Sequence, residues 1–146
     1  MSKSNAWENA LLLLVFNNTD ITNFGDASGL VGSSTAGNLY VSLHTANPDE
    51  AGDQTTSECS YTDYARVAVA RSGSGWTVTN NSVSPAADVT FPVYGGSGAD
   101  TATHVGIGTA PSGTGRLLYK GALSASIAID TGITPVWGSG STITED

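Results

Sequence analysis

A single cysteine, Cys59, leaves this chain without an intrachain disulfide or a cysteine metal cluster. It reads as a small, partly buried residue, because a reactive thiol needs a basic neighbour and none lies close in sequence. Positive charge is scarce too: five Lys and Arg stand against thirteen Asp and Glu, a formal net charge of −8. That balance disfavours phosphate backbones and anionic lipid surfaces, so neither nucleic acid nor a membrane is expected as a partner. Charges of both signs make up only 12% of the 146 residues, against about 25% in an ordinary soluble domain. Long apolar runs are missing. The run 11–16 is far short of the roughly 20 residues that a bilayer-crossing helix takes. The N-terminal stretch has Lys3 but no small-residue cleavage site, so folding in the cytoplasm is expected.

Thr, Ser, Gly, Asn and Ala fill the space that charges leave, a composition suited to extended structure. The most informative stretch runs from Thr103 to Leu123. Two strand-like runs there flank a loop in which Pro111, Gly113 and Gly115 interrupt regular structure. Looser versions recur from Asn38 almost to the end. Leu39, Val41 and Leu43 alternate with Tyr40, Ser42 and His44, a half-buried strand. Further strands are expected at 64–71, with Ala65, Val67 and Val69 on one face, at 76–79 before an Asn80-Asn81 turn, and at 89–93. Pro92 marks the last as an edge or a strand end. Short strands at 127–129, 136–137 and 142–144 complete the set.

One helix is expected, over about 5–16. Asn5 and Glu8 have the spacing of a capping box, and Trp7, Ala10, Leu11, Leu14 and Val15 fall on one stripe. Leu12, Leu13 and Phe16 widen that stripe until the helix is apolar almost all round, so it must be covered on more than one side. A Gly/Ser-rich loop follows over 17–37. With turn signals every 8–12 residues, the pattern predicts an all-β fold. We expect a single-domain β-sandwich over 1–146, jelly-roll-like or immunoglobulin-like, with one N-terminal α-helix and strands spread over about 38–144.

Little in the chain has the spacing of a reactive site. Gly106-x-Gly108 lacks the third glycine and following helix of a nucleotide fingerprint, and the run from Gly108 to Gly113-Thr114 lacks the lysine of a phosphate loop. Both read as turns. His44 and His104 stand on strands and could face each other, but no third metal ligand is evident, and both read as structural. Asp49, Glu50, Asp53, Glu58 and Asp63 form an acidic loop whose spacing does not match a dedicated calcium loop. No catalytic residue, cofactor or metal ligand is assigned, and the chain is not expected to be an enzyme.

Several segments, taken in order, carry a resemblance. They are Asn9-Ala10-Leu11; Leu39-Tyr40-Val41-Ser42-Leu43-His44-Thr45-Ala46-Asn47-Pro48; Tyr64-Ala65-Arg66-Val67; Val89-Thr90-Phe91-Pro92; Thr103-His104-Val105-Gly106-Ile107; Leu117-Leu118 with Gly121-Ala122-Leu123; and Ile143-Thr144-Glu145-Asp146. Together they resemble a family of small bacteriophage virion proteins commonly labelled phage tail fibre proteins, although Val105 and Gly108 are smaller than that family's pattern. The resemblance implies a non-enzymatic structural protein of a phage particle, assembled in the host cytoplasm and carried on the exterior. A capsid decoration (cement) protein and a small tail or fibre component both fit. Its implied partners are other virion proteins, capsid or tail subunits, and further copies of itself.

Contacts of that kind are expected from the helix residues Trp7, Leu11, Leu14 and Val15 and from the strand 39–43. Arg66, Arg71, Arg116 and Lys120 hold nearly all the positive charge and are candidates for ion pairs with acidic neighbours. The alternative is a receptor- or carbohydrate-binding module of the phage tail, using an exposed platform of Tyr61, Tyr64 or Tyr94. An enzyme built on His44 or His104 ranks last.

Overall fold

The computed structural model describes residues 2–25 and 28–145. Residues 26 and 27 of the expected loop, and Asp146 of the last resemblance segment, lie outside the described residues. The fold is all-β with one N-terminal α-helix, as expected, and its pairings are antiparallel. Contacts gather into two compact units. One comprises Met1–Asn38, Val69–Asp88 and Gly138–Asp146, and the other Leu39–Ala68 and Val89–Trp137.

The first unit is built on the helix α1 (Asn5–Asn17), packed on the hairpin of β3 (Trp76–Thr79) and β4 (Ser82–Pro85), with β9 (Ile143–Thr144) beside β4. The helix starts differently from expectation. Ser4, not Asn5, is the N-cap; its side chain makes no capping bond, and its carbonyl accepts the N–H groups of Trp7 and Glu8 at 2.9 and 3.0 Å. No Asn5–Glu8 box forms, because Asn5 already lies inside the helix. The buried stripe also differs: Glu8, Leu12 and Phe16 are buried, whereas Trp7, Leu11, Leu14 and Val15 are half-buried. Phe16 meets Trp76 edge-on at 4.8 Å and so sets which stripe faces the strands. Trp7 instead stacks on Phe24 at 5.1 Å.

Strand β4 is absent from the expected set. Asn80, with φ at 54°, and Asn81 form a two-residue turn that sends the chain straight back along β3 with Thr79 opposite Ser82. The turn was legible; its returning strand was not, because Ser-Val-Ser-Pro offers a single large apolar residue.

The second unit is framed by a four-stranded sheet of order β2-β1-β6-β7. The chain enters it at the start of β1 (Asn38–His44) and leaves it along β2 (Val67–Ala70). Strands β6 (Asp100–Gly108) and β7 (Leu117–Ile129) form the hairpin expected around 103–123. From Val41 to His44 every residue of β1 is buried, so this strand is covered on both faces rather than one. The loop after β1 folds back over it: the Glu58 position bridges to His44, and the Cys59 N–H reaches the Leu43 carbonyl at 2.9 Å.

Three further differences have local causes. The expected strand 64–71 shrinks to β2, because Asp63 has φ at 72° and the Tyr64 N–H turns back to the Tyr61 carbonyl. The expected strand 89–93 shrinks to β5 (Val89–Thr90), which pairs with β8 (Val136–Trp137) and stops short of Pro92. The piece at 127–129 belongs to β7. Within that strand Ala122 faces His104 and Ile127 faces Ala102, so the four residues 123–126 lie opposite the single residue Thr103.

Candidate functional site

The densest polar constellation of the second unit lies beneath the loop 109–116 that joins β6 to β7. Arg66, just ahead of β2, is 9% exposed and grips Glu58 with two bonds, Nε to Oε1 at 2.7 Å and Nη2 to Oε2 at 2.8 Å. Its remaining donors reach up into the loop, Nη1 to the Ala110 carbonyl at 2.9 Å and Nη2 to the Gly113 carbonyl at 2.7 Å. A planar guanidinium can hold a carboxylate at two points and two carbonyls besides, four bonds that the three donors of an ammonium cannot supply. Tyr64 completes the arrangement, donating its hydroxyl to Glu58 Oε1 at 2.9 Å and accepting the Leu43 N–H at 3.0 Å. Burial, with the Glu58 carboxylate behind it, pushes the Tyr64 hydroxyl well above its ordinary range. The Glu58 carboxylate, by hydrogen bonding, raises the Arg66 guanidinium further.

Gln54 grips the same loop from a second side. It is fully buried, its Oε1 accepts the Ala110 N–H at 2.9 Å, and its backbone N–H donates to the Thr114 carbonyl at 3.0 Å. Two glycines make room for it. A Cβ on Gly108 would strike the Gln54 carboxamide carbon, and one on Gly115 would strike its oxygen; Gly115 also has φ at 50°. The small residue at position 108 is therefore matched to Gln54. At its mouth the loop closes on itself, through Thr109 N–H to the Arg116 carbonyl at 3.1 Å and Arg116 N–H to Thr109 Oγ1 at 3.0 Å.

His44 and His104 do face each other across β1 and β6. The His44 ring is fully buried and bonded at both nitrogens, to the Thr56 carbonyl at 2.8 Å through Nδ1 and to Ser42 Oγ at 2.9 Å through Nε2. A carbonyl only accepts, so Nδ1 carries the proton and Nε2 takes the Ser42 hydroxyl hydrogen. Burial holds the imidazole below its ordinary value, against the Thr56 carbonyl and Glu58, which favour the charged form. A hydroxyl beside an imidazole is a nucleophile–base pairing in outline, yet both residues are 0% exposed. His104 Nδ1 lies 2.8 Å from Thr103 Oγ1.

Three of the five carboxylates of the acidic loop are engaged, each with a different partner. Asp53 accepts the N–H and hydroxyl of Thr55 at 2.7 and 2.6 Å, Glu50 pairs with Lys120 at 2.8 Å, and Glu58 holds Arg66. Among the described residues no group of three or more His, Cys, Asp and Glu is placed to hold a metal ion.

None of the three tyrosines of the expected platform is fully exposed: Tyr61 is buried, and Tyr64 and Tyr94 are half-buried. Tyr61 is 2% exposed and donates to the Pro92 carbonyl at 2.9 Å, and Tyr64 is half-buried against it at 5.3 Å. Tyr94 packs 6.4 Å from Tyr61.

The named cations separate by environment. Arg66 and Lys120 form ion pairs within the chain. Arg71 does not pair with an acid: its Nε and Nη2 donate to the Val15 and Leu14 carbonyls at 2.8 and 2.7 Å, and its Nη1 to the Ala36 carbonyl at 3.2 Å. The Leu14 and Val15 carbonyls belong to the last turn of α1 and have no partner within the helix, and a cation there also suits the helix dipole. The side chain of Arg116 is exposed. Gln54 went unrecognised in the sequence, and Glu58 stood there only as one acid among five; no spacing or motif marks either of them.

The curated proteins contain no match to this chain. A family model does match it, over residues 2–143, and its description is Podophage GP4 fiber I protein gp80. The match takes in α1, all nine strands but the last residue of β9, and the whole Glu58–Arg66–Gln54 clasp, so the chain belongs to this family of phage fibre proteins and is a component of the phage particle.

Proposed function

We propose that the chain is a non-enzymatic structural piece of the particle exterior, a small tail or fibre component that binds neighbouring virion subunits and further copies of itself. The family match over residues 2–143 is the observation that carries this reading, and it favours a fibre over a capsid decoration. The use made of the polar side chains supports it. Arg66, Glu58, Gln54, His44 and Arg71 all direct their bonding groups at the chain's own backbone or at one another. Such bonds shape a surface; they leave few groups to work on a substrate. Assembly in the host cytoplasm goes with this reading.

Antibody labelling of intact particles, imaged by electron microscopy, tests the assignment. Label confined to tail fibres is the expected result. Label spread over the capsid would replace the fibre role with decoration, and particles without label would overturn both.

A further inference from the structure

The five cations of this chain are unequally committed. Lys3 pairs with Glu145 at 3.3 Å, Arg66 with Glu58 at 2.7 Å and Lys120 with Glu50 at 2.8 Å, while Arg71 caps the helix. Arg116 is different. It is exposed at the foot of the loop 109–116, and among the described residues its guanidinium has no hydrogen bond or ion pair. Asp49 is its counterpart among the acids. It is exposed, its φ is 61°, its N–H is held by Asn47 Oδ1 at 3.1 Å, and its carboxylate has no partner among the described residues.

These two residues lie on neighbouring segments. The stretch from Glu50 to Gln54 runs beside 114–120, tied at one end by Gln54 N–H to the Thr114 carbonyl at 3.0 Å and at the other by Glu50 to Lys120 at 2.8 Å. These adjoining segments of the second unit therefore carry an uncommitted base towards one end and an uncommitted acid towards the other. The loop bearing the base is held from beneath by the buried Arg66 and Gln54 side chains, although residues 111–116 are themselves exposed. A buried ion pair is a weak source of stability, and what it gives here is a fixed loop shape. A loop ordered in advance loses little entropy when it docks.

We propose that these segments form a two-fold contact between copies of the chain, in which Arg116 of each copy faces Asp49 of the other. A two-fold contact uses the same surface twice, so that surface must complement itself, and a base and an acid at separate points of two adjoining segments meet that condition. A purely acidic partner would match Arg116 and clash with Asp49. The inference names a surface for the self-association proposed above and rests on that reading; the labelling of particles tests the virion role separately.

Sedimentation equilibrium on the purified chain, with Arg116→Glu and Asp49→Lys each alone and then mixed, decides the matter. Wild type is expected to self-associate, more weakly as salt shortens the reach of the charges. Each variant alone weakens self-association by about tenfold, two exposed pairs being turned into two repulsions. Mixing the two restores it, because the introduced glutamate meets the introduced lysine while a native Arg116–Asp49 pair survives on the other side. Asp49→Asn, which tolerates a left-handed backbone, serves where the lysine variant does not fold, and is expected to weaken association less. A monomeric wild type, variants that associate like wild type, or a mixture no tighter than its parts overturns the proposal. So does a monomer that uses Arg116 to bind a different virion protein.

Discussion

Glu58 and Arg66, eight positions apart, meet in a two-point contact, with Nε and Nη2 of the guanidinium 2.7 and 2.8 Å from the two carboxylate oxygens. The arginine side chain is 2% exposed and the glutamate 16%, so removing one partner strands a charge that is largely out of water. Arg66→Ala is expected to cost about 3 kcal/mol in urea unfolding, the low end for a broken buried pair. Hydrogen exchange at the Ala110 and Gln54 amides, which donate to Gln54 Oε1 and to the Thr114 carbonyl, should quicken at the same time. A loss below about 1 kcal/mol with unchanged exchange would mean that the loop keeps its shape unaided.

Gly108→Ala should destabilise the chain by about 1–3 kcal/mol, because the added methyl overlaps the Gln54 carboxamide. Gln54→Ala removes the obstacle, so the double variant should lose less than the sum of the two single losses. Additive losses would show that the glycine is needed for some other reason.

Arg71→Met keeps the aliphatic stem and removes the bonds to the Leu14 and Val15 carbonyls. A loss of about 1–2 kcal/mol is expected, with fraying at the C-terminal end of α1 in amide exchange. Protection of the last turn equal to wild type would count against the cap.

His44 makes stability depend on mild acid. Its folded value lies below the ordinary 6.5, so the unfolded chain takes up the proton first, and the contribution present above that pH is lost as pH falls through the folded value. The charged ring would face Arg66 and His104 as well as Glu58, and the Ser42 hydroxyl would have to turn from Nε2 to the Gly106 carbonyl, 3.3 Å away. Melting temperature is therefore expected to drop as pH falls below about 6.5. His44→Gln should flatten the drop; equal slopes would assign it to other groups.

Cys59 is 2% exposed, and burial, helped by Asp100 and Glu58, pushes its thiol up to about 12. Iodoacetamide at mildly alkaline pH should leave the folded protein untouched and label it once unfolded in urea. Rapid labelling of the native form would contradict this packing.

What could be read in the sequence and what could not divide along one line. Leu39-x-Val41-x-Leu43 and the glycine-broken stretch from Thr103 to Leu123 announce β1, β6 and β7 because their own alternation and turn residues suffice. Strand β4 exists because Asn80-Asn81 folds it onto β3, and its residues alone do not say so. The helix was legible as a helix, but an all-apolar surface cannot tell which stripe faces inward; Trp76 decides that by meeting Phe16. The clasp was least legible. Arg66, Glu58 and Gln54 lie in irregular segments, where no period marks which side chains turn inward, and they converge only once the loop after β1 has folded back.

The outermost strand of a sheet is where a neighbouring molecule could continue the sheet indefinitely, and β7 is outermost here. Its run of four residues against the lone Thr103 breaks the register partway along, so no straight partner can follow its full length. A single charge, Lys120, along thirteen residues would otherwise make this a template for fibrillar stacking. The excursion at 123–126 acts as a stop in the zipper: a strand laid along β7 would lose its pairing there.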